Sequence, residues 1–374
     1  MKKTLSTFIV AVYAMIAMTA CAQHPSDVDF TVLEDPLLEG KFYPSMAIWN
    51  STLEDNTDAF YSFYLNAPQA GDIIRITMQK TSLNEETIVQ QVAESRGEME
   101  IVPVIKWDYD KLSKLTQGGA VTMTCILEIN GKEIDRINHV VKYRPINECI
   151  YCYYDEENDE VVDLSEMFAL FVNEDFAQID KILSEILAVD RDRSFVDYQG
   201  EGSDFIKQIY WVWEYFSNKG TRYSNIVNTS NVSEYIGLQH VRFIDEVINN
   251  NQANCVDGSC MLASIYRKIG LDVYLVLLPS HCMLAIYSPY GVDWGEDGVI
   301  DSENGGFILM ETTMMGNNVD PNESFDSALT AYNMEEMERL AEEEDFVFVN
   351  IEAARSIGIL PITRNVRGGG QRPQ

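Results

Sequence analysis

Apolar positions in the early part of the chain come in short runs of strand character, at 46–49, 59–65, 73–78, 87–92, 99–105, 120–129 and 134–141. Polar turns separate them, and Asn130-Gly131 between the last two is a strong two-residue hairpin signal. Such a succession, with few helical patterns in it, predicts a β-sandwich over residues 41–145, with Trp107 and Tyr109 packed in it or on its rim. Nothing in this part carries chemistry.

From about residue 164 the period lengthens. Phe168, Phe171 and Val172, then Phe176, Ile179, Ile182, Leu183, Ile186 and Leu187, recur at three- and four-residue steps. A second helix carries Phe205, Ile209, Tyr210, Trp213 and Phe216, an aromatic stripe most simply read as core, and Gly220 ends it. A third runs through Phe243, Val247 and Ile248 towards Asn254. A fourth, amphipathic, opens at Cys255, continues through Met261, Leu262, Ile265 and Tyr266, and closes with Arg267, Lys268 and Gly270. Strands at 273–278 and 283–287 follow, joined by a tight turn at Pro279-Ser280, with His281 beside it. Glu311 ends a further apolar run at 307–310, where a neighbouring strand would stop. The loop 314–326 would wall one side of a site, 328–344 reads as an acidic helix, 346–351 as a last strand and 352–357 as a short helix.

The ends and the joint differ from these bodies. Lys2 and Lys3 precede a short apolar run, 8–18, with the layout of a signal peptide, and Met18-Thr19-Ala20-Cys21 resembles a bacterial lipobox with Cys21 as the lipidated residue. The alternative is an ordinary secretory signal cut near Ala20-Cys21 or Ala22-Gln23. The expected organisation is a lipoprotein signal at 1–21, a polar tether at 22–40, the sandwich at 41–145, an acidic linker at 146–163, an α+β domain at 164–362 and a disordered tail at 363–374. The expected place is a bacterial cell envelope, lipid-anchored to a membrane (the outer membrane first) and facing out of the cytoplasm.

A chain of 374 residues, 46% hydrophobic, suffices for two domains with real cores. Its formal charge of −32 becomes −34 once Lys2 and Lys3 leave with the signal, which argues against nucleic acid and against anionic lipid headgroups as partners. Of seven cysteines, six remain after Cys21. Cys149 and Cys152 have the spacing of redox and metal motifs but lack either context, so a structural disulfide or two buried thiols is the better reading. Zinc on Cys255, Cys260, His281 and Cys282 is a minor alternative, because helical offset and strand alternation spread those side chains apart.

Cys255 in the first turn of a helix meets unpaired N–H groups and the positive end of the macrodipole, which favour a thiolate and an oxyanion beside it. A nearby imidazole and a third group to orient it would complete a nucleophilic site, and His281 and Glu311 fill those places. The motifs Cys255-Val256-Asp257-Gly258, Pro279-Ser280-His281 and Met310-Glu311-Thr312-Thr313 resemble those of bacterial transglutaminase-like proteins, a branch of the papain-like cysteine enzymes. Gln239-His240-Val241-Arg242 is similar to a further pattern of these relatives. The resemblance covers about 163–362 and implies a transglutaminase-like (papain-like) fold after an immunoglobulin-like sandwich. It implies Cys255 as nucleophile, His281 as general base and acid, and Glu311 as the residue orienting His281, with no cofactor and no metal. Gln239 is either an oxyanion donor or a structural residue.

Two departures stand out: most transglutaminases carry Asp where Glu311 stands, and no tryptophan closely precedes Cys255 or follows His281. The first expectation is therefore a hydrolase or peptidase acting on peptide or amide bonds of a peptide or protein substrate through a thioester. The second is a non-catalytic binding or assembly lipoprotein on the same fold. The third is a cross-linking acyltransferase.

Overall fold

The computed structural model describes residues 28–364, apart from 53–59, 68, 156–157, 197–198, 200–201, 226–234, 291–298, 303–304, 317–319, 333–338 and 340–345. The expected leader with Cys21, the tail from 365 and most of the acidic helix at 328–344 lie outside the described residues. The chain divides into two units between Ile146 and Asn147.

In the first unit come, in order, β1 (Phe30–Glu34), β2 (Lys41–Phe42), α1 (Pro44–Asn50), β3 (Tyr61–Ala67), β4 (Ile73–Met78), β5 (Thr87–Val92), β6 (Gly97–Ile101), α2 (Tyr109–Leu112), β7 (Gly119–Ile129) and β8 (Lys132–Tyr143). They form two sheets, β1-β3-β6 and β2-β8-β7-β4-β5, antiparallel except where β2 meets β8. Period-2 patterning produces this: Ile74, Ile76 and Met78 on β4 and Met123, Cys125 and Leu127 on β7 are buried, while the residues between them are more exposed. Asn130 and Gly131 both have positive φ (51° and 79°), the pairing a tight hairpin needs. Trp107 stacks on Phe42 with ring centroids 4.3 Å apart, as packing and not as a ligand site.

Two expectations fail here. The run 46–49 is helical, inside α1: four apolar residues cannot distinguish strand from helix, and Pro44 in the first turn favours the helix. The tether stops short of 40, because Val28 and Phe30 are buried, Phe30 packs on Phe63 at 5.7 Å, and β1 pairs with β3.

The second unit holds β9 (Glu148–Asp155), β10 (Glu160–Asp163), α3 (Gln178–Leu187), α4 (Gly202–Lys219), β11 (Arg222–Tyr223), β12 (Ile236–His240), α5 (Ile244–Asn250), β13 (Gln252–Ala253), α6 (Cys255–Lys268), β14 (Val273–Leu278), β15 (His281–Ser288), β16 (Val299–Ser302), β17 (Gly305–Met310), α7 (Pro321–Leu329), β18 (Val347–Asn350) and α8 (Ile351–Ser356). The acidic linker is thus corrected. Its first half is β9, the middle strand of β10-β9-β12, with Cys149 and Ile150 buried; Asp155 ends β9 and Glu160 opens β10. Part of the expected wall loop is α7, started by Pro321 behind an Asp320 cap.

An antiparallel sheet, β16-β17-β15-β14-β18, carries α6 against β14 and β15. The helix is buried more completely than the amphipathic pattern expected, since every residue from Val256 to Tyr266 is buried. Its polar members are satisfied from within the fold: the Ser264 hydroxyl donates to the Cys260 carbonyl and accepts from the Asn173 N–H, and the Tyr266 hydroxyl donates to the Ile209 carbonyl. The aromatic stripe of α4 is core, with Trp213 fully buried and its Nε1 donating to Ser324 Oγ at 2.9 Å.

Candidate active site

Only the first residue of the buried helix α6 reaches solvent at this end: Cys255 is half-buried where Val256 is buried. Asn254 caps the helix, its Oδ1 accepting from Asp257 N at 2.8 Å while Asp257 Oδ2 accepts from Asn254 N at 3.0 Å. Gly258 N donates to the Asn254 carbonyl. The cap leaves the N–H groups of Cys255 and Val256 out of its hydrogen bonds, at the positive end of a fourteen-residue helix. The Cys255 N–H, beside its own thiol, is the natural donor to an oxyanion.

His281 is the first residue of β15 and Glu311 directly follows β17. These strands are antiparallel neighbours with Leu284 opposite Met310, so both side chains leave from the same end of the sheet. Ser280, with φ of 61°, makes the tight turn that delivers His281. His281 Nε2 meets Glu311 Oε2 at 2.5 Å, and the imidazole interacts with the Cys255 thiol strongly enough to shift its own pKa. Because Nε2 is engaged by the carboxylate, Nδ1 is the nitrogen left for sulfur. The hydrogen bonds to Cys255 and Glu311 outweigh burial and push the ring's pKa from 6.5 up to about 10. The imidazolium is therefore the neutral-pH form, and an imidazolium is what stabilises an adjacent thiolate.

Glu311 is held in turn. Burial alone would raise its pKa, but the hydrogen bonds from His281 and Thr313 prevail and lower it. Its Oε1 accepts from Thr313 N at 2.8 Å and from Thr313 Oγ1 at 2.6 Å, so Oε2 is aimed at the ring. Thr312 Oγ1 contacts Ser259 Oγ at 3.1 Å and donates to the Cys255 carbonyl at 3.3 Å, tying the turn after β17 to the start of α6. A Cβ on Gly258 would lie 3.3 Å from that Thr312 oxygen, so a larger residue there would need Thr312 to shift.

Cys255, His281 and Glu311 are thus brought together. Gln239 is not engaged with them: its Nε2 donates to the neighbouring His240 carbonyl at 2.8 Å, on the strand that pairs with β9. Cys260 and Cys282 are buried thiols whose pKa burial pushes up, and Cys149 and Cys152 are also free. Among the described residues no group of three or more His, Cys, Asp or Glu side chains is placed to hold a metal ion.

Five residues with a place in the site had no role assigned from sequence. Arg242 N and Nη1 each donate to the Asp257 carboxylate at 2.7 Å. Thr313 orients Glu311, and Tyr332 lies nearly parallel to the His281 ring, 6.4 Å between centroids. Asn254 and Asp257 at cap spacing were legible as a helix start; nothing local announces Arg242 or Tyr332 as partners. No family model matches the chain, and no curated protein matches it.

Proposed function

We propose that this chain is an envelope-anchored, transglutaminase-like cysteine hydrolase that cuts peptide or amide bonds in a peptide or protein substrate. The observation that carries the reading is the contact of His281 Nε2 with Glu311 Oε2 at 2.5 Å, with Cys255 acting on the same ring from the start of α6. The first unit would be the immunoglobulin-like sandwich and the second the transglutaminase-like domain, with a lipid on Cys21 as the anchor.

The Cys255 thiolate attacks the carbonyl carbon, and the resulting oxyanion meets the Cys255 N–H at the helix start. His281 gives its Nδ1 proton to the departing amine as the C–N bond breaks, leaving a thioester on sulfur. Water then enters, His281 takes its proton, and the attack releases a carboxylic acid and restores the thiolate beside the imidazolium. Glu311 keeps Nε2–H occupied throughout, so that the proton moving to and from substrate is the one on Nδ1. An amine in place of water would give transfer.

The test is thiol alkylation of the mature protein against pH, mapped by mass spectrometry, followed by a peptide library offered with and without a primary amine. Selective labelling of Cys255 below pH 8.5, about the pKa of an ordinary thiol, lost in His281→Ala, supports an activated nucleophile. Cleaved peptides would identify the hydrolase and amine adducts the transferase. Labelling of Cys255 no faster than that of Cys152, the other half-buried thiol, would leave a binding protein as the better description.

A further inference from the structure

Asp257 stands two residues beyond Cys255 in the first turn of α6, and its side chain is fully buried. A carboxylate so near a sulfur works against a thiolate, so the site contains a charge that the mechanism does not use. We infer that Arg242 is a positioning residue that neutralises Asp257, allowing a thiolate at Cys255 and a buried carboxylate to share one helix turn. The inference rests on the catalytic reading of Cys255.

The geometry is that of a closed clamp. Asp257 Oδ1 accepts from Arg242 N and Oδ2 from Arg242 Nη1, both at 2.7 Å, and Oδ2 also accepts from Asn254 N at 3.0 Å. Arg242 Nη1 further donates to the Ser224 carbonyl at 3.1 Å, and Ser224 N donates to the Ala253 carbonyl at 2.8 Å. The guanidinium, only 12% exposed, thereby fixes the strand that precedes Cys255 and the turn that contains it.

The charges facing the thiol can be counted. His281 and Cys282 come from β15, Glu311 from the turn after β17, Asp257 and Cys260 from α6 itself, and Tyr223 from β11. Burial keeps Cys260 and Cys282 neutral, and burial followed by the neighbouring Cys255 and Glu311 keeps the Tyr223 phenol protonated. Three anions, the Cys255 thiolate, Glu311 and Asp257, then face two cations, His281 and Arg242. Burial already pushes the Asp257 carboxyl up, and Arg242 is among the contacts that hold it down; without Arg242 the balance is three to one, and wherever Asp257 is still ionised the relief is a proton on sulfur. A pair that served the fold alone would leave the pH at which sulfur ionises unchanged.

The experiment measures the pH dependence of Cys255 alkylation by iodoacetamide in the full mature chain, with urea unfolding to score folding. Arg242→Met should raise the midpoint by about one pH unit, which below the midpoint is about a tenfold lower rate. Arg242→Lys should keep the midpoint near wild type, because it keeps the charge. Asp257→Asn should lower the midpoint, an effect that loss of structure alone does not produce and that can be read even if Arg242→Met fails to fold. Wild-type activation with an Asp257→Asn midpoint at or above the wild-type value overturns the inference and leaves the triad standing. Absence of activation in the wild type, or its persistence in His281→Ala, overturns the catalytic reading instead.

Discussion

Replacing Glu311 by Gln keeps the shape of the side chain and both Thr313 donors on Oε1, and removes the charge beside His281. Because Oε1 is already held, the new amide nitrogen faces His281 Nε2 and donates to it. A neutral ring accepting at Nε2 carries its proton on Nδ1, the nitrogen that must take a proton from sulfur. The substitution therefore spoils both the charge and the tautomer. In the wild type the ring's pKa rises from 6.5 to about 10, with the Cys255 hydrogen bond the largest cause and Glu311 next. Loss of one opposite charge at hydrogen-bond distance ordinarily costs about one to three pH units, and the ring should titrate lower by that amount. The chain has four histidines, so ¹³C-labelled histidine followed by NMR from pH 5 to pH 11 separates His281 from the rest. Cys255 alkylation at neutral pH should fall by about a hundredfold or more, the usual scale for a misplaced general base.

The same contact has a stability signature. A raised ring pKa stabilises the folded state fully below 6.5, and that stabilisation is lost as pH rises through about 10. Urea unfolding of the wild type should weaken between neutral pH and pH 10.5, and Glu311→Gln should show a smaller loss over that window. A Glu311→Gln ring that still titrates with the wild-type midpoint, in a protein whose Cys255 reacts at the wild-type rate, would refute the assigned geometry.

Thr313→Val removes the Oγ1 donor but leaves the backbone one; Cys255 alkylation at neutral pH should slow by about three- to tenfold, and unfolding should cost roughly the 1.5–3 kcal/mol of a hydrogen bond to a charged group. Gly316→Ala should destabilise the second unit severely, by about 3 kcal/mol or more, because the new Cβ would lie 1.8 Å from the Thr221 carbonyl at a φ of 75°. Gly220→Ala, at a φ of 74° with nothing within 4 Å, should cost only about 1–2 kcal/mol by the same denaturation assay. Trp213→Ala empties a fully buried site beside Phe325 and removes the donor to Ser324 Oγ, so a loss of about 3–5 kcal/mol is expected, read as a lowered urea midpoint.

Much of this protein is written locally. Period-2 runs located β4, β5, β7 and β8, Asn130-Gly131 located their hairpin, and three- and four-residue steps located α3 and α4. Cys255, His281 and Glu311 were recognisable because each sits at an element's end, where side chains leave the core and backbone groups stay unpaired. Where local pattern was ambiguous or outvoted, the expectation failed. The run 46–49 fits either period, and the acidic residues at 155–160 masked the apolar inner face of β9. Other features do not exist until distant segments pack. Arg242 meets Asp257 fifteen residues away only because α5 and β13 fold the chain back on itself, and Tyr332 reaches His281 only across the sheet. Sequence by itself determined the residue types, the periods and the order of the elements, because those follow from backbone sterics and side-chain polarity. Tertiary structure alone decided which charges share a buried site, because that depends on which strands become neighbours.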